Sequence, residues 1–121
     1  MQIEALRILI VDDNVDAAES LAMILKLNGH ETQCAYEPEA ALASEPGFDP
    51  HLIFLDIGLP RMDGYEVARR IRAGNRSVRL VALTGYGQPE DASRAKAAGF
   101  DAHLLKPLDF DELARIIERL R

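Results

Sequence analysis

Short apolar runs alternate along this chain with segments of helical periodicity, and that alternation limits the folds open to it. The clearest runs are Ile8-Leu9-Ile10-Val11, Leu52-Ile53-Phe54-Leu55, Leu80-Val81-Ala82-Leu83 and Leu104-Leu105. Strands alternating with helices make a parallel sheet covered on both faces and joined by right-handed crossovers. The sequence predicts strands at Arg7–Val11, Thr32–Tyr36, His51–Leu55, Arg79–Leu83 and Ala102–Leu105, the second a weakly patterned edge strand. A helix is expected over Val15–Leu27, with Val15, Ala18, Leu21, Ala22 and Leu25 on one face and Gly29 as its stop. A second runs over Pro38–Ser44 and is ended by Glu45-Pro46-Gly47; a third spans Tyr65–Ala73. The fourth starts at Pro89 and stops before Gly99. The fifth has Asp109 as N-cap, Glu112 in capping-box spacing, and Phe110, Leu113, Ala114, Ile117 and Leu120 as its buried stripe. The fold class is therefore α/β, a doubly wound five-stranded parallel sheet of order 2-1-3-4-5 with five helices.

Size and charge narrow the function. The 121 residues make one domain, and the formal net charge of -6 counts against general nucleic-acid binding. The single cysteine, Cys34, has no internal partner and is expected to pack as a small hydrophobe, which points to a reducing, cytoplasmic setting. No stretch is apolar enough for a membrane span, and Met1-Gln2-Ile3-Glu4 does not open a secretory signal. The chain is expected to be a complete small protein or a domain of a longer one. Arg69, Arg70, Arg72, Arg76 and Arg79 fall on a helix, a loop and a strand start, and read as a solvated face.

The residues that follow the apolar runs carry the chemistry. Asp12 and Asp13, Asp56, Thr84 and Lys106 each come directly after one. In a parallel sheet all these positions lie at the carboxyl edge, where open α/β sheets bind ligands. The order 2-1-3-4-5 makes the first and third strands neighbours, so three carboxylates crowd together and call for a counter-charge. A hard divalent cation held by oxygen ligands, Mg²⁺ or Mn²⁺, supplies it: Asp13 and Asp56 ligate directly, Asp12 acts through water, and a backbone carbonyl near Gly58 fills another position. A metal site alone needs neither Thr84 nor Lys106, but a phosphoryl site does. The cation, the Lys106 ammonium and the Thr84 hydroxyl or a nearby amide would each hold one phosphoryl oxygen. Asp56, standing singly after a central strand, is the expected nucleophile. Asp63 serves the turn before Gly64, and the Lys106–Pro107 bond is expected to be trans, as most such bonds are.

In sequence order the motifs are Val11-Asp12-Asp13-Asn14, Leu55-Asp56-Ile57-Gly58-Leu59-Pro60-Arg61-Met62-Asp63-Gly64, Ala82-Leu83-Thr84-Gly85 and Lys106-Pro107. With them the chain, over its whole length of residues 1–121, resembles the receiver domain of two-component response regulators. The resemblance implies a flavodoxin-like fold and a phosphorylation-controlled switch that is not a metabolic enzyme. It implies Asp56 as phosphoacceptor, Asp12 and Asp13 as the acidic metal pair, Thr84 as switch hydroxyl and Lys106 as phosphate contact. The donor would be a phosphohistidine on a histidine kinase or a histidine-phosphotransfer protein, selected around Asn14, Ala17 and the first helix. The output would be an attached or separate domain, reached through a face formed by helix four, strand five and helix five. The chain departs from the family at His103, where a Tyr or Phe is usual, so that switch position is polar and its charge depends on pH. Gly58 leaves the acceptor unshielded while Tyr86 is placed to cover it, with opposing effects on phosphoryl lifetime.

Other readings fit less well. A flavin carrier of the same topology needs a hydroxyl- and glycine-rich phosphate loop, where this chain has Asp12-Asp13-Asn14. A small Mg²⁺-dependent aspartyl phosphohydrolase would need a cap that the chain lacks the length to supply. A degenerate receiver that only docks proteins would not need Asp13, Asp56, Thr84 and Lys106 together.

Overall fold

The computed structural model describes residues 5–85 and 92–121. Five parallel strands, β1 (Arg7–Val11), β2 (Glu31–Ala35), β3 (Leu52–Asp56), β4 (Arg79–Thr84) and β5 (Ala102–Leu105), form one sheet of order β2-β1-β3-β4-β5. Between and after them run α1 (Val15–Leu27), α2 (Pro38–Phe48), α3 (Gly64–Gly74), α4 (Ala92–Ala98) and α5 (Phe110–Leu120). This is the expected topology. The expected start of the fourth helix at Pro89, and Tyr86, lie outside the described residues.

The apolar runs are buried on both faces because successive side chains of a strand point to opposite sides. Ile8, Ile10, Leu52, Phe54, Val81 and Leu83 pack against Ala18, Leu21 and Leu25 of α1 and Leu113, Ile116 and Ile117 of α5. Leu9, Val11, Ile53, Leu55, Leu80 and Ala82 face the other way, onto Ala41 of α2, Tyr65, Val67, Ala68 and Ile71 of α3, and Ala98 of α4. Each fully buried aliphatic or aromatic side chain contributes roughly 1.5–3 kcal/mol relative to exposure. The sheet is therefore held from both sides, and the residues at its carboxyl edge stand on a rigid base.

Three expectations need correction. The second helix does not stop at Ser44: α2 passes through Pro46 and reaches Phe48. Proline removes one amide donor, but its φ is helical. Phe48 packs on the core, and the helix closes at Asp49, which has a left-handed φ of 52° and donates its amide to the Glu45 carbonyl at 2.9 Å. The buried stripe of α5 is Leu113, Ile116 and Ile117, while Phe110 is 59% exposed and Ala114 is exposed. Seating two isoleucines buries more apolar area than seating Ala114, and that decides how the helix is rolled. Val15 heads α1 at the open edge of the sheet and is 43% exposed, so the buried face begins at Ala18.

Candidate phosphoacceptor site

β1 and β3 are paired in register, Val11 opposite Leu55, so the residues that follow them come out side by side. Carboxylate oxygens of Asp12, Asp13 and Asp56 lie within 4.8 Å of one another. Asp12 and Asp56 are buried and Asp13 is exposed. Each buried carboxylate is fixed by a backbone amide two residues on, Asn14 to Asp12 Oδ1 at 3.0 Å and Gly58 to Asp56 Oδ1 at 2.8 Å. The other oxygen of each accepts from Lys106 Nζ, at 2.7 Å for Asp12 and 3.2 Å for Asp56. One ammonium thus joins two strands on which three like charges meet.

The electrostatics follow from that packing. Burial raises the Asp56 carboxyl above the ordinary value; the charge of Asp12 adds to the rise, and the Gly58 amide and Lys106 oppose it. For Lys106 burial alone would lower the ammonium, but Asp12 and Asp56 outweigh it and the net shift is upward. Lys106 therefore remains charged. It hangs from the end of β5, its amide donating to the Thr84 carbonyl at 2.7 Å, and the following Lys106–Pro107 peptide is cis, contrary to the trans expectation.

The loop after Asp56 is closed tightly. The Ile57 amide donates to the Leu83 carbonyl and the Gly64 amide to the Ile57 carbonyl, both at 3.1 Å. A Cβ on Gly64 would lie 2.5 Å from Ile57 Cα and 2.7 Å from the Asp56 carbonyl oxygen, so only glycine fits there. Asp63 caps α3 through the Glu66 amide at 3.0 Å, as expected of a turn residue, and its second oxygen accepts from Arg94 of α4 at 2.9 Å. Arg61, with a left-handed φ of 68°, pairs with Glu37 and Glu39 at 3.0 Å each.

The structure brings Asp12, Asp13, Asp56 and Lys106 together. Thr84 is buried at the end of β4, and its hydroxyl donates to the Leu104 carbonyl at 3.3 Å. Gly58 contributes its amide to Asp56. His103 is exposed on β5, opposite Ala82 in register. Two residues escaped the sequence reading. Gly64 closes the acceptor loop, and a glycine at the first turn of a helix was the available signal. Arg72 is not part of a solvated face: its guanidinium donates to the Val78 carbonyl at 2.6 Å and the Gly99 carbonyl at 2.7 Å, and pairs with Asp101 at 3.2 Å.

Three carboxylates with converging oxygens and no nitrogen or sulfur donor suit a hard divalent cation. No helix among the described residues is long and apolar enough to cross a membrane.

Comparison with known proteins places the chain. The family model described as "Response regulator receiver domain" matches residues 8–118. The regulatory protein AtoC of Escherichia coli is 34% identical over 93% of this chain, which spans only 24% of AtoC's length. Among solved structures, NtrX from Brucella abortus superposes with a TM-score of 0.89 at 36% identity, covering 97% of this chain and 27% of NtrX. A CheY-like receiver domain protein from Methanospirillum hungatei gives 0.88 at 32% identity, covering 97% of this chain and 94% of that one. The whole-chain match, the 2-1-3-4-5 sheet and the acidic cluster at its carboxyl edge together show that this chain belongs to the response-regulator receiver domains of two-component signalling.

Proposed function

We propose that the chain, as one receiver domain over residues 1–121, accepts a phosphoryl group on Asp56 from a phosphohistidine and answers by switching conformation. The observation that carries this reading is the Lys106 ammonium, hydrogen-bonded at once to Asp12 and Asp56 within the three-carboxylate cluster. An Asp56 oxygen attacks phosphorus, the bond from phosphorus to the donor's imidazole nitrogen breaks, and the nitrogen keeps the electron pair. The product is an acyl phosphate. Asp12, Asp13 and Asp56, with a backbone carbonyl near Gly58, would hold Mg²⁺ or Mn²⁺. When bound, such an ion offsets the charge on the phosphoryl oxygens.

The chain's own groups do the rest. The Gly58 amide holds the acceptor carboxylate in one orientation. Lys106 already touches Asp56 and needs only a small shift to meet a phosphoryl oxygen beside it. The Thr84 hydroxyl, bound to the Leu104 carbonyl in this state, gains a stronger, charged acceptor once a dianionic group stands at Asp56. Its inward turn would release that carbonyl on β5, one residue from His103, which is the switch position facing solvent. The partner is a histidine kinase or phosphotransfer protein, and the output is an attached or separate domain. The setting is the cytoplasm, and the domain itself binds neither nucleic acid nor membrane.

Intact-mass spectrometry after incubation with acetyl phosphate and Mg²⁺ tests the reading. One phosphoryl adduct is expected, absent without Mg²⁺ and absent in Asp56→Asn. No adduct, together with no Mg²⁺-dependent binding of beryllofluoride, would leave a docking module without phosphoryl chemistry.

A further inference from the structure

The opposite end of β1 carries two histidines in matching positions. The Leu6 amide donates to Nδ1 of His30 at 3.1 Å, and the Arg7 amide donates to Nδ1 of His51 at 2.9 Å. The carbonyls of the same two residues accept from the Glu31 and His51 amides, each at 2.9 Å. In a regular parallel ladder an amide bonds the carbonyl two residues before the one that donates back. On the β2 side, where Arg7 stands opposite Glu31, that carbonyl would belong to Gly29; on the β3 side, where Ile8 stands opposite Leu52, it would belong to Pro50. Gly29 and Asp49, the residue before Pro50, have left-handed backbones, with φ of 91° and 52°. The two amides go instead to the imidazoles of His30 and His51, which follow Gly29 and Pro50. The leading end of β1 is thus fastened on its β2 side by one imidazole and on its β3 side by another.

An imidazole nitrogen that accepts a hydrogen bond carries no proton, so each ring must be neutral with its hydrogen on Nε2. Protonation would set an N–H of the ring against the backbone N–H it now receives. We propose that His30 and His51 form an acid-sensitive clasp on the leading end of β1, closed while both rings are neutral and opened by their protonation. The inference goes beyond the phosphoacceptor reading and does not depend on it.

The surroundings of His30 favour its neutral ring. His30 is buried, which lowers its pKa below the usual imidazole value, and Arg121 at the end of α5 lowers it further. Arg121 pairs with Glu118, Lys26 stands in the last turn of α1, and Glu31 follows the ring in sequence. His51 shares a hollow of about 370 Å³ with Arg7, Asp49, Arg79 and Arg121. Arg7 pairs there with Asp49 at 3.3 Å, and Arg79 reaches Asp101 at 3.9 Å.

Nitrogen NMR on the full ¹⁵N-labelled chain tests the clasp directly. At about pH 8 both rings should be neutral with the proton on Nε2. Couplings across the hydrogen bonds should link the Leu6 amide to His30 Nδ1 and the Arg7 amide to His51 Nδ1. As the pH falls toward about 5, each coupling should vanish as its own ring protonates. Exchange of the Leu6 and Arg7 amides should then quicken at least tenfold, on the order of one lost hydrogen bond, relative to that of Ile10. In His30→Gln, whose side-chain carbonyl accepts without titrating, the Leu6 response should disappear and the Arg7 response remain. If that variant does not fold, the wild-type titration decides alone. A ring with its proton on Nδ1 at the higher pH, rings that stay neutral until the protein unfolds, or rings that titrate while both amides exchange unchanged would each overturn the proposal.

Discussion

Substituting alanine at Gly64 isolates the tightest contact around the phosphoacceptor. The new methyl would stand 2.5 Å from Ile57 Cα and 2.7 Å from the Asp56 carbonyl oxygen. Both are backbone atoms, so no rotamer change relieves the overlap and the 57–64 loop must move. Overpacking of this kind costs about 1–3 kcal/mol. A control lies in the same helix: a Cβ on Gly74 would meet nothing within 4 Å. Gly74→Ala should therefore show only the gain of replacing glycine in a helix, about 0.5–1 kcal/mol. Urea melts of both variants should differ by about 1.5–4 kcal/mol, Gly64→Ala being the weaker. The displaced loop also carries the Gly58 amide that orients Asp56, so Gly64→Ala should take up phosphoryl groups more slowly under conditions where it is fully folded. Equal stabilities for the two variants would refute the claim that the loop closes by backbone contact at this glycine.

Removing the shared ammonium with Lys106→Met leaves Asp12 and Asp56 facing each other, and should destabilise the metal-free protein by about 1–3 kcal/mol in urea melts. Added Mg²⁺ should recover part of that loss, and a loss unaltered by Mg²⁺ would argue against a cation at these carboxylates. Asp56 titrates above its ordinary value of 3.8, so its contribution favours the fold below that value and is lost as the pH rises through the raised one. In chelator-treated buffer Asp56→Asn should therefore be more stable than wild type near neutrality, an advantage that shrinks as the pH falls toward 3.8, read from urea midpoints across pH. Arg72→Met should cost about 2 kcal/mol by thermal or urea melts, because the Val78 and Gly99 carbonyls and Asp101 lose a shared donor; a loss under about 0.5 kcal/mol would return Arg72 to the solvated face.

The sheet order and the convergence at its edge were legible because apolar runs mark parallel strands and the chain puts Asp12, Asp56, Thr84 and Lys106 directly after them. Four residues reach the same edge of the sheet for a simple reason: every parallel strand exposes the same end. What stayed hidden depended on tertiary packing. Pro46 reads locally as a stop, yet Phe48 has a core to fill and the helix continues to it. The roll of α5 turns on whether Ile116 or Ala114 faces inward, and helical spacing permits either. Arg72 has the sequence character of a surface arginine, and its role exists only because the Val78 and Gly99 carbonyls converge on it. The imidazole acceptors of β1 were equally invisible, since nothing local to His30 or His51 tells that a strand amide lacks its ladder carbonyl.

The central claim is that the phosphoryl group is carried by Asp56 and by no other carboxylate of the cluster. Borohydride reduction of the protein treated with acetyl phosphate and Mg²⁺ converts an aspartyl phosphate to homoserine, which peptide mass spectrometry then locates. Homoserine at position 56, with Asp12 and Asp13 intact, is the predicted result. Homoserine at position 12 or 13, or a phosphoryl adduct that leaves all three aspartates unreduced, would contradict it.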